Sequence, residues 1–175
     1  MIEALAKKIK LLILDVDGVL TDGRIIYDNF GDEFKCFDVH DGFGMYLLHR
    51  AGLKSVIITA KKTKVVERRA KDMRVAALYS DHRKLKIYKK VLSRFRVKDE
   101  EVCFMGDDLL DLPIIKRVGF AVAPPDARDE IKDSARYITQ KKGGKGAVRE
   151  VIEMILKSQG RWDKVIAEYS EVRNG

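Results

Sequence analysis

The chain of 175 residues is long enough for one domain with a buried core, because 46% of its residues are apolar. Its apolar runs are too short for a membrane-spanning helix, so we expect no membrane partner. Lys and Arg total 35 against 27 Asp and Glu, and the resulting net charge of +8 would suit nucleic acid. The basic residues are, however, spread over segments 61–71, 83–98 and 141–149. This spread is typical of a solvated lysine-rich surface, and we expect no nucleic acid partner.

The cysteines and the N-terminus favour a cytoplasmic location. The two cysteines stand far apart without a CxxC pair, so neither metal nor redox use is expected of them. Residues 1–10 carry charges and are not followed by the long apolar core of a signal peptide. No repeat or low-complexity linker interrupts the chain. We therefore expect a single domain over 1–175, with a hairpin at about 23–39 and a C-terminal tail at about 160–175.

Short apolar runs alternate with longer segments of helical periodicity along the chain. Strands are predicted at 10–16, 54–59, 75–80, 101–108, 119–124 and 135–139. Helices are predicted at 42–51, 63–73, 83–96, 109–118, 127–134 and 146–158, with a final amphipathic segment at 161–172. Two further strands flank the turn signal Asp28-Asn29-Phe30-Gly31 and form the hairpin. The alternation predicts an α/β fold, a doubly wound, mainly parallel sheet with helices on both faces and a protruding hairpin.

Two aspartates follow the first strand, where an aspartate is otherwise unfavourable. In the stretch LLILDVDGVLTD, Asp15 and Asp17 stand on either side of one valine, directly behind an apolar run. Thr59 ends the next predicted sheet strand, and Asp107 and Asp108 end a later one. Open parallel sheets bind their ligands at the carboxyl ends of the strands. We therefore expect these polar side chains to meet at one edge of the sheet.

Such a cluster suits phosphoryl transfer with a divalent cation. Several carboxylates at one edge repel each other unless a cation lies between them, and hard oxygen ligands with room for water and phosphate select Mg²⁺. Asp15 can attack a phosphoryl group to form an aspartyl phosphate. Asp17 can protonate the leaving alkoxide and then deprotonate the hydrolytic water. Asp107 would complete the metal site.

Three further residues suit phosphate binding at the same edge. Gly18 allows a sharp turn that brings backbone N–H groups close to a phosphate. The hydroxyl of Thr59 can donate a hydrogen bond to a phosphate oxygen. Lys84, which follows the next strand, can neutralise developing negative charge.

Taken in order along the chain, the motifs resemble those of the haloacid dehalogenase superfamily. They are DxDGxLTD at 15–22, a strand-end Thr59, Lys84 and GDDxxD at 106–111, and together they cover nearly the whole chain. The resemblance implies a Rossmann-like hydrolase core and a Mg²⁺-dependent phosphatase. Asp15 would be the nucleophile and a metal ligand, Asp17 the general acid/base with its backbone carbonyl on the metal, and Asp107 the third protein ligand. Thr59 and Lys84 would hold the phosphoryl group.

Three longer stretches are similar to the capless branch of that superfamily, which hydrolyses 3-deoxy-D-manno-octulosonate 8-phosphate in lipopolysaccharide precursor synthesis. They are FDVHDGFG at 37–44, GDDLLDLP at 106–113 and GGKGAVREVIE at 143–153. As in that branch, no insertion large enough for a cap domain follows Thr59 or Lys84. The branch forms homotetramers, in which the hairpins build a central barrel and the C-terminal tail of one subunit helps close a neighbouring site. Here that tail would include Lys145, Arg149 and the segment 161–172.

The resemblance also implies a set of substrate contacts. They are Asp17, Asp38, Val39, His40, Asp41, Gly42, Lys61, Arg69 and Lys84. For His40 and Arg69, an ordinary loop position and a solvated helix position remain alternatives. Asp108 and Asp111 would stand behind the metal ligands, where they either assist the metal site or only cap the following helix and orient Asp107.

The chain departs from the capless branch at three places. Ala60-Lys61 stands where the branch has Gly-Arg, His40 stands for an arginine, and Ser80-Asp81 stands for Gln-Gly. Lys is a point charge and His can be neutral, so neither reproduces the bidentate grip of Arg on a carboxylate. Four alternatives therefore stay open: a phosphatase for another acidic sugar phosphate such as an acylneuraminate 9-phosphate, a broad phosphatase, a phosphotransferase, or a noncatalytic basic binding module on this fold.

Aromatic residues recur along the hairpin. They are Tyr27, Phe30, Phe34 and Phe37. A two-stranded ribbon cannot bury such side chains by itself, and an exposed apolar patch of this kind marks an interaction site. We therefore expect the hairpin to lie in a subunit interface, consistent with the tetramer that the resemblance implies.

Overall fold

The computed structural model describes residues 2–170, which form alternating strands and helices. The strands are β1 (Leu11–Leu14), β2 (Ile26–Tyr27), β3 (Glu33–Phe34), β4 (Lys54–Thr59), β5 (Ala77–Ser80), β6 (Val102–Met105), β7 (Phe120–Ala123) and β8 (Tyr137–Ile138). The helices are α1 (Ile2–Ala6), α2 (Val39–Arg50), α3 (Lys64–Asp72), α4 (Lys84–Phe95), α5 (Leu112–Ile115), α6 (Asp129–Ser134), α7 (Ala147–Ser158) and α8 (Trp162–Ser170). A 3-10 turn at Asp99–Glu101 precedes β6. Within this described part of the chain, no helix is both long and apolar enough to cross a membrane.

Six of the strands form one parallel sheet in the order β5-β4-β1-β6-β7-β8. All of β1 is buried, and its side chains alternate between two apolar layers. Leu12 and Leu14 pack in the layer that contains α1, α2, α3 and α7. Leu11 and Ile13 pack in the layer that contains α4, α5 and α6. The predicted doubly wound α/β fold without a cap domain is confirmed.

The hairpin stands apart from this sheet as a separate two-stranded ribbon. Its strands pair antiparallel with Ile26 opposite Phe34, and Asp28 Oδ1 closes the turn by accepting the N–H of Phe30 at 2.9 Å. The paired part is much shorter than the predicted 23–39, because each strand has only two residues in the ladder. The hairpin therefore has little hydrogen bonding of its own to hold it.

Three helices differ substantially from the sequence prediction. α2 begins at Val39, earlier than predicted, because Asp38 Oδ1 accepts the backbone N–H groups of His40 and Asp41 and so caps the helix. The predicted start at Gly42 lies behind Asp41, and the Asp41-Gly42 pair, of a kind that often marks a turn, is inside the helix. α5 is much shorter than the predicted 109–118 helix, and α1 and the 3-10 turn were not predicted.

Candidate active site

The carboxyl ends of β1, β4 and β6 lie side by side and carry three of the predicted residues. Asp15 directly follows β1, and its N–H donates to Met105 O of β6 at 3.0 Å. Thr59 ends β4, and Asp107 follows β6 closely. The predicted site residues that line a cavity of about 250 Å³ at this edge are Asp15, Asp17, Thr59, Lys61, Lys84, Asp107, Asp108 and Asp111.

Three of these carboxyl groups form a tight cluster. Asp15, Asp107 and Asp111 each contribute one oxygen to a group of atoms that all lie within 4.8 Å of one another. Burial, and then the charge of Asp111, raise the pKa of Asp15 to about 7. Burial, and then the charge of Asp15, raise the pKa of Asp107 to about 8, and burial also raises the pKa of Asp111. A cation between the carboxylates would relieve this repulsion.

Lys84 supplies one positive charge inside the cluster. Its side chain is only 2% exposed, and Nζ lies 2.8 Å from Asp15 Oδ2 and 2.7 Å from Asp111 Oδ1. Burial acts to lower the pKa of Lys84, but the attraction of the two carboxylates outweighs burial and raises it. One lysine cannot balance three carboxylates. The remaining negative charge and the all-oxygen donor set fit a hard divalent cation such as Mg²⁺.

Asp111 holds its neighbours in place with both of its oxygens. Oδ1 accepts from Lys84 Nζ, and Oδ2 accepts from the N–H of Asp107 at 3.1 Å. The side chain makes no capping hydrogen bond to α5. Asp111 therefore contacts Asp107 without capping α5, and it also belongs to the carboxylate cluster, so assistance of the metal site and orientation of Asp107 both stay predictions. Asp108 is exposed, and its Oδ1 accepts from the N–H of Leu109 at 2.7 Å.

Glycines allow the loops of the site to approach one another closely. Gly18 has a φ of +77°, and a Cβ atom there would lie 2.0 Å from Asp107 Oδ2. A Cβ atom at Gly143 would lie 1.8 Å from the carbonyl oxygen of Gly18. The loop before α7 therefore packs directly against the turn after β1, which explains Gly143 and Gly144 of the GGKG stretch.

Thr59 and Asp17 complete the group of predicted residues at the cavity. Thr59 is 2% exposed, and its Oγ1 donates to Lys61 O at 3.1 Å and accepts from Lys61 N at 3.3 Å. The hydroxyl therefore stabilises the turn that carries it to the site. The side chain of Asp17 is 35% exposed, so it lies nearer to solvent than the buried Asp15.

The sequence did not indicate two charged residues of the hairpin that reach the same site. Lys35 Nζ lies 2.5 Å from Asp17 Oδ1, and Glu33 Oε2 lies 2.5 Å from Lys61 Nζ. The alternation of side chains along a strand could have indicated them, because residues 33 and 35 share one face of an extended strand while Phe34 faces the other way. The sequence prediction for the hairpin considered only its aromatic residues and therefore missed the charged face.

The structure does not bring the segment 38–42 and Arg69 to the cavity of the carboxylates. Asp41 is 1% exposed, and its carboxylate accepts from Gly146 N at 3.3 Å and from Arg149 N at 2.8 Å, at the start of α7. Burial raises the pKa of Asp41 to about 6. Its carboxylate is thus engaged within the protein, and its contact with substrate stays a prediction.

Arg69 likewise has partners within the protein. Its Nη2 donates to Asp38 O at 2.8 Å, and its guanidinium lies 5.4 Å from the ring centre of Phe37. Together with Val39 and Gly42, Arg69 lines a separate surface hollow of about 350 Å³. His40 is exposed, with Nδ1 3.5 Å from Asp38 Oδ1.

Known proteins are similar to this chain in both sequence and fold. The chain is 41% identical over 162 residues to the 3-deoxy-D-manno-octulosonate 8-phosphate phosphatase KdsC of Escherichia coli (strain K12), covering 92% of this chain and 86% of that protein. The crystal structure of the Moraxella catarrhalis phosphatase of the same name, in complex with a magnesium ion, a phosphate ion and a KDO molecule, matches with a TM-score of 0.94 and 38% identity. That match covers 97% of this chain and 98% of the other.

A third relative gives the same result. The crystal structure of the phosphatase of that name from Yersinia pestis matches with a TM-score of 0.91 and 40% identity, over 93% of this chain and 88% of the other. A family model of haloacid dehalogenase-like hydrolases matches residues 53–152. These findings confirm the resemblance drawn from the motifs, and the chain belongs to the haloacid dehalogenase-like hydrolases.

Proposed function

We propose that this protein is a Mg²⁺-dependent phosphoric monoester hydrolase that converts 3-deoxy-D-manno-octulosonate 8-phosphate to the free sugar acid and phosphate, in lipopolysaccharide precursor synthesis. The observation that carries the proposal is the cluster of Asp15, Asp107 and Asp111 around Lys84. It lies in a chain that matches the Moraxella catarrhalis phosphatase, a structure with magnesium, phosphate and KDO, over 97% of its length. An intact constellation of this kind argues against a noncatalytic binding module.

Asp15 is the nucleophile in this proposal. Lys84 holds its Oδ2, so we assign Oδ1 to the attack on phosphorus. The bond from Asp15 to phosphorus forms while the bond from phosphorus to the sugar oxygen breaks, and Asp17 gives its proton to that oxygen. In the second half of the reaction, Asp17 takes a proton from water, and the water oxygen attacks the aspartyl phosphate. Phosphate leaves and the carboxylate of Asp15 is restored.

The other residues of the cavity bind the phosphoryl group and the cofactor. Asp15 and Asp107 would hold Mg²⁺ through their carboxylates, and Asp17 through its backbone carbonyl. When bound, Mg²⁺ offsets the carboxylate charge and stabilises negative charge on the transferring phosphoryl oxygens. Lys84 would stabilise the same charge. The Thr59 hydroxyl, which donates to Lys61 O in this structure, would rotate to donate to a phosphate oxygen when phosphate binds.

We also propose that the chain forms a homotetramer through the hairpin and acts in the cytoplasm. Large apolar side chains are exposed there, namely Ile25, Ile26, Tyr27, Phe30 and Phe34. A ribbon with so little internal pairing needs cover, and neighbouring hairpins would provide it. Both cysteines are free, and Cys36 is exposed, which fits a reducing compartment.

The test is phosphate release from a panel of sugar phosphates, measured with Mg²⁺ and with EDTA. The panel includes 3-deoxy-D-manno-octulosonate 8-phosphate, an acylneuraminate 9-phosphate and neutral sugar phosphates. We expect Mg²⁺-dependent release that is greatest with the first substrate and is lost in Asp15→Asn. Asp129→Asn, an exposed carboxylate on α6 whose partner is Lys132, is the matched control and should keep full activity.

Each other outcome has a definite meaning. Strongest release from the acylneuraminate 9-phosphate would retain the chemistry and assign the Lys61 and His40 departures to a different sugar acid. Transfer of phosphate to an added alcohol in place of water would indicate a phosphotransferase. No release from any substrate would contradict the phosphatase and favour the basic binding module.

A further inference from the structure

A lysine of the hairpin is buried against the proposed acid/base. The side chain of Lys35 is 0% exposed, and its Nζ lies 2.5 Å from Asp17 Oδ1. A lysine is almost never fully buried unless its charge is paired. Glu33 provides a second carboxylate, with Oε1 2.9 Å from the same Nζ. The hairpin thus places a fixed positive charge directly on Asp17.

The contact belongs to a row of four alternating charges. Asp17 contacts Lys35, Lys35 contacts Glu33, and Glu33 Oε2 contacts Lys61 Nζ at 2.5 Å. The row runs from the loop after β1, through the hairpin, to the loop after β4. Because Glu33 balances one of the two lysines, Lys35 can stay charged beside Asp17 without withdrawing into solvent.

This arrangement restricts the orientation of the Asp17 carboxylate. The terminal torsion of an aspartate is broad, so a partly exposed carboxylate rotates unless a partner holds one oxygen. Lys35 holds Oδ1, which leaves Oδ2 to face the leaving oxygen of the substrate. Proton transfer depends strongly on such alignment, because the donor must be within hydrogen-bond reach of the reacting oxygen.

We propose that Lys35 is a positioning residue for Asp17, a role that rests on the proposed phosphatase function. Lys35 acts through Asp17 and touches no reacting atom itself. A purely structural alternative exists, in which Lys35 only attaches the hairpin to the body of the protein. The two roles differ in their dependence on the leaving group, because only the first affects the proton that Asp17 delivers.

The test compares two substrates in a single turnover. The alkoxide of a sugar phosphate needs a proton to leave, whereas the nitrophenolate of p-nitrophenyl phosphate leaves without one. We expect Lys35→Met to slow the first turnover with the sugar phosphate roughly 10²-fold, the scale of a small misplacement of a catalytic group. Release of nitrophenolate in the first turnover should be unchanged. The control is Lys62→Met, which removes a surface lysine paired with Glu67 at 2.7 Å and should alter neither.

Several results would overturn the proposal. Equal losses with both substrates would assign Lys35 to hairpin attachment, and unchanged rates with both would remove any role. If Lys35→Met no longer unfolds cooperatively on heating, Lys35→Arg replaces it in the test. Lys35→Arg keeps the positive charge with a different side-chain reach. Its single-turnover rate should fall less than that of Lys35→Met, and only with the sugar phosphate. Inactivity of the unaltered protein on both substrates would instead contradict the phosphatase function itself.

Discussion

At Gly18, both the backbone conformation and the neighbouring carboxylate restrict which residue the site can accept. Its φ of +77° lies in the left-handed region, and a Cβ atom would lie 2.0 Å from Asp107 Oδ2. Gly31 in the hairpin turn has a similar φ of +91° but nothing within 4 Å of a Cβ atom. The two glycines therefore share the backbone strain of a substitution and differ only in the clash with the carboxylate.

We expect Gly18→Ala and Gly31→Ala each to lower the free energy of unfolding, by roughly 1–2 kcal/mol for the left-handed backbone alone. Only Gly18→Ala should also weaken Mg²⁺ binding and phosphatase activity, because it displaces Asp107. Chemical denaturation and a calorimetric Mg²⁺ titration measure the two effects separately. Equal Mg²⁺ affinity in both variants would show that Asp107 does not bind the ion.

The raised pKa values of the site predict how stability depends on pH. The pKa of Asp15 is raised to about 7 and that of Asp107 to about 8, so the folded protein keeps protons that the unfolded chain has already released. Without a metal ion, the free energy of unfolding should therefore fall as the pH rises from about 4 to about 8. Mg²⁺ binds the deprotonated carboxylates and should oppose this fall.

Urea unfolding across this pH range, in EDTA and in saturating Mg²⁺, checks the prediction. Asp41 has a raised pKa of about 6 outside the cluster, so a smaller fall below about pH 6 should persist in Mg²⁺. Asp15→Asn removes one of the shifted groups and should flatten the curve in EDTA. A curve in EDTA that rises toward pH 8 would contradict the assignment of burial and repulsion to these carboxyl groups.

At the scale of the elements, Asp41 links α2 to α7. Its carboxylate accepts two N–H groups at the start of α7, from Gly146 and Arg149, and helix N-termini are stabilised by such acceptors. The resemblance instead suggests that Asp41 faces the sugar acid. The two roles predict different effects of a substitution at Asp41 on the free energy of unfolding and on KM.

We expect Asp41→Ala to lower the free energy of unfolding by about 0.5–2 kcal/mol, the usual effect of losing a helix cap. KM for the sugar phosphate should change little, because the carboxylate lies outside the cavity of the site. Asp129→Ala removes an exposed acidic residue in the first turn of α6 and serves as the control for a charge change at a helix start. A large rise in KM with unchanged stability would restore the substrate contact.

The sequence predicted that Asp15, Thr59 and Asp107 lie close together, because each of them stands at or just after the end of a strand. Asp15, Thr59 and Asp107 come directly or closely after apolar runs, and the parallel order of the strands is enough to bring them together. Lys35 and Asp41 were harder for a physical reason. Their roles depend on contacts between segments distant in sequence, the hairpin with the loop after β1 and α2 with α7. No local pattern specifies such contacts.

The helix boundaries also show the difference between features that follow from local sequence and features that depend on distant contacts. The start of α2 was open to prediction from the capping aspartate Asp38, but the Asp-Gly pair three residues on is a strong turn signal and misled the assignment. At the start of α5, Asp111 is directed to Lys84 and Asp107 and does not cap the helix. A residue that local sequence marks as a helix cap thus contacts the site instead.

At the scale of the whole molecule, the two faces of the hairpin differ, and the proposed tetramer would connect assembly to catalysis through them. Its apolar side chains are exposed, as Phe34 at 52% and Ile26 at 45% show, while Lys35 on the opposite face contacts Asp17. A neighbouring subunit that covers the apolar face would therefore also fix the charged face in the site.

We expect Phe34→Glu to convert the proposed tetramer into monomers, because a charge in the centre of the apolar face must be buried when the hairpins pack together. The matched control is Ile138→Glu on β8, where the side chain is 44% exposed and the strand lies at the edge of the main sheet. Sedimentation equilibrium should show monomers for the first variant and tetramers for the second.

A monomeric unaltered protein, or a tetrameric Phe34→Glu, would contradict assembly through the hairpin. The monomer should also lose sugar phosphatase activity more than p-nitrophenyl phosphatase activity, because Lys35 then loses the support that holds it on Asp17.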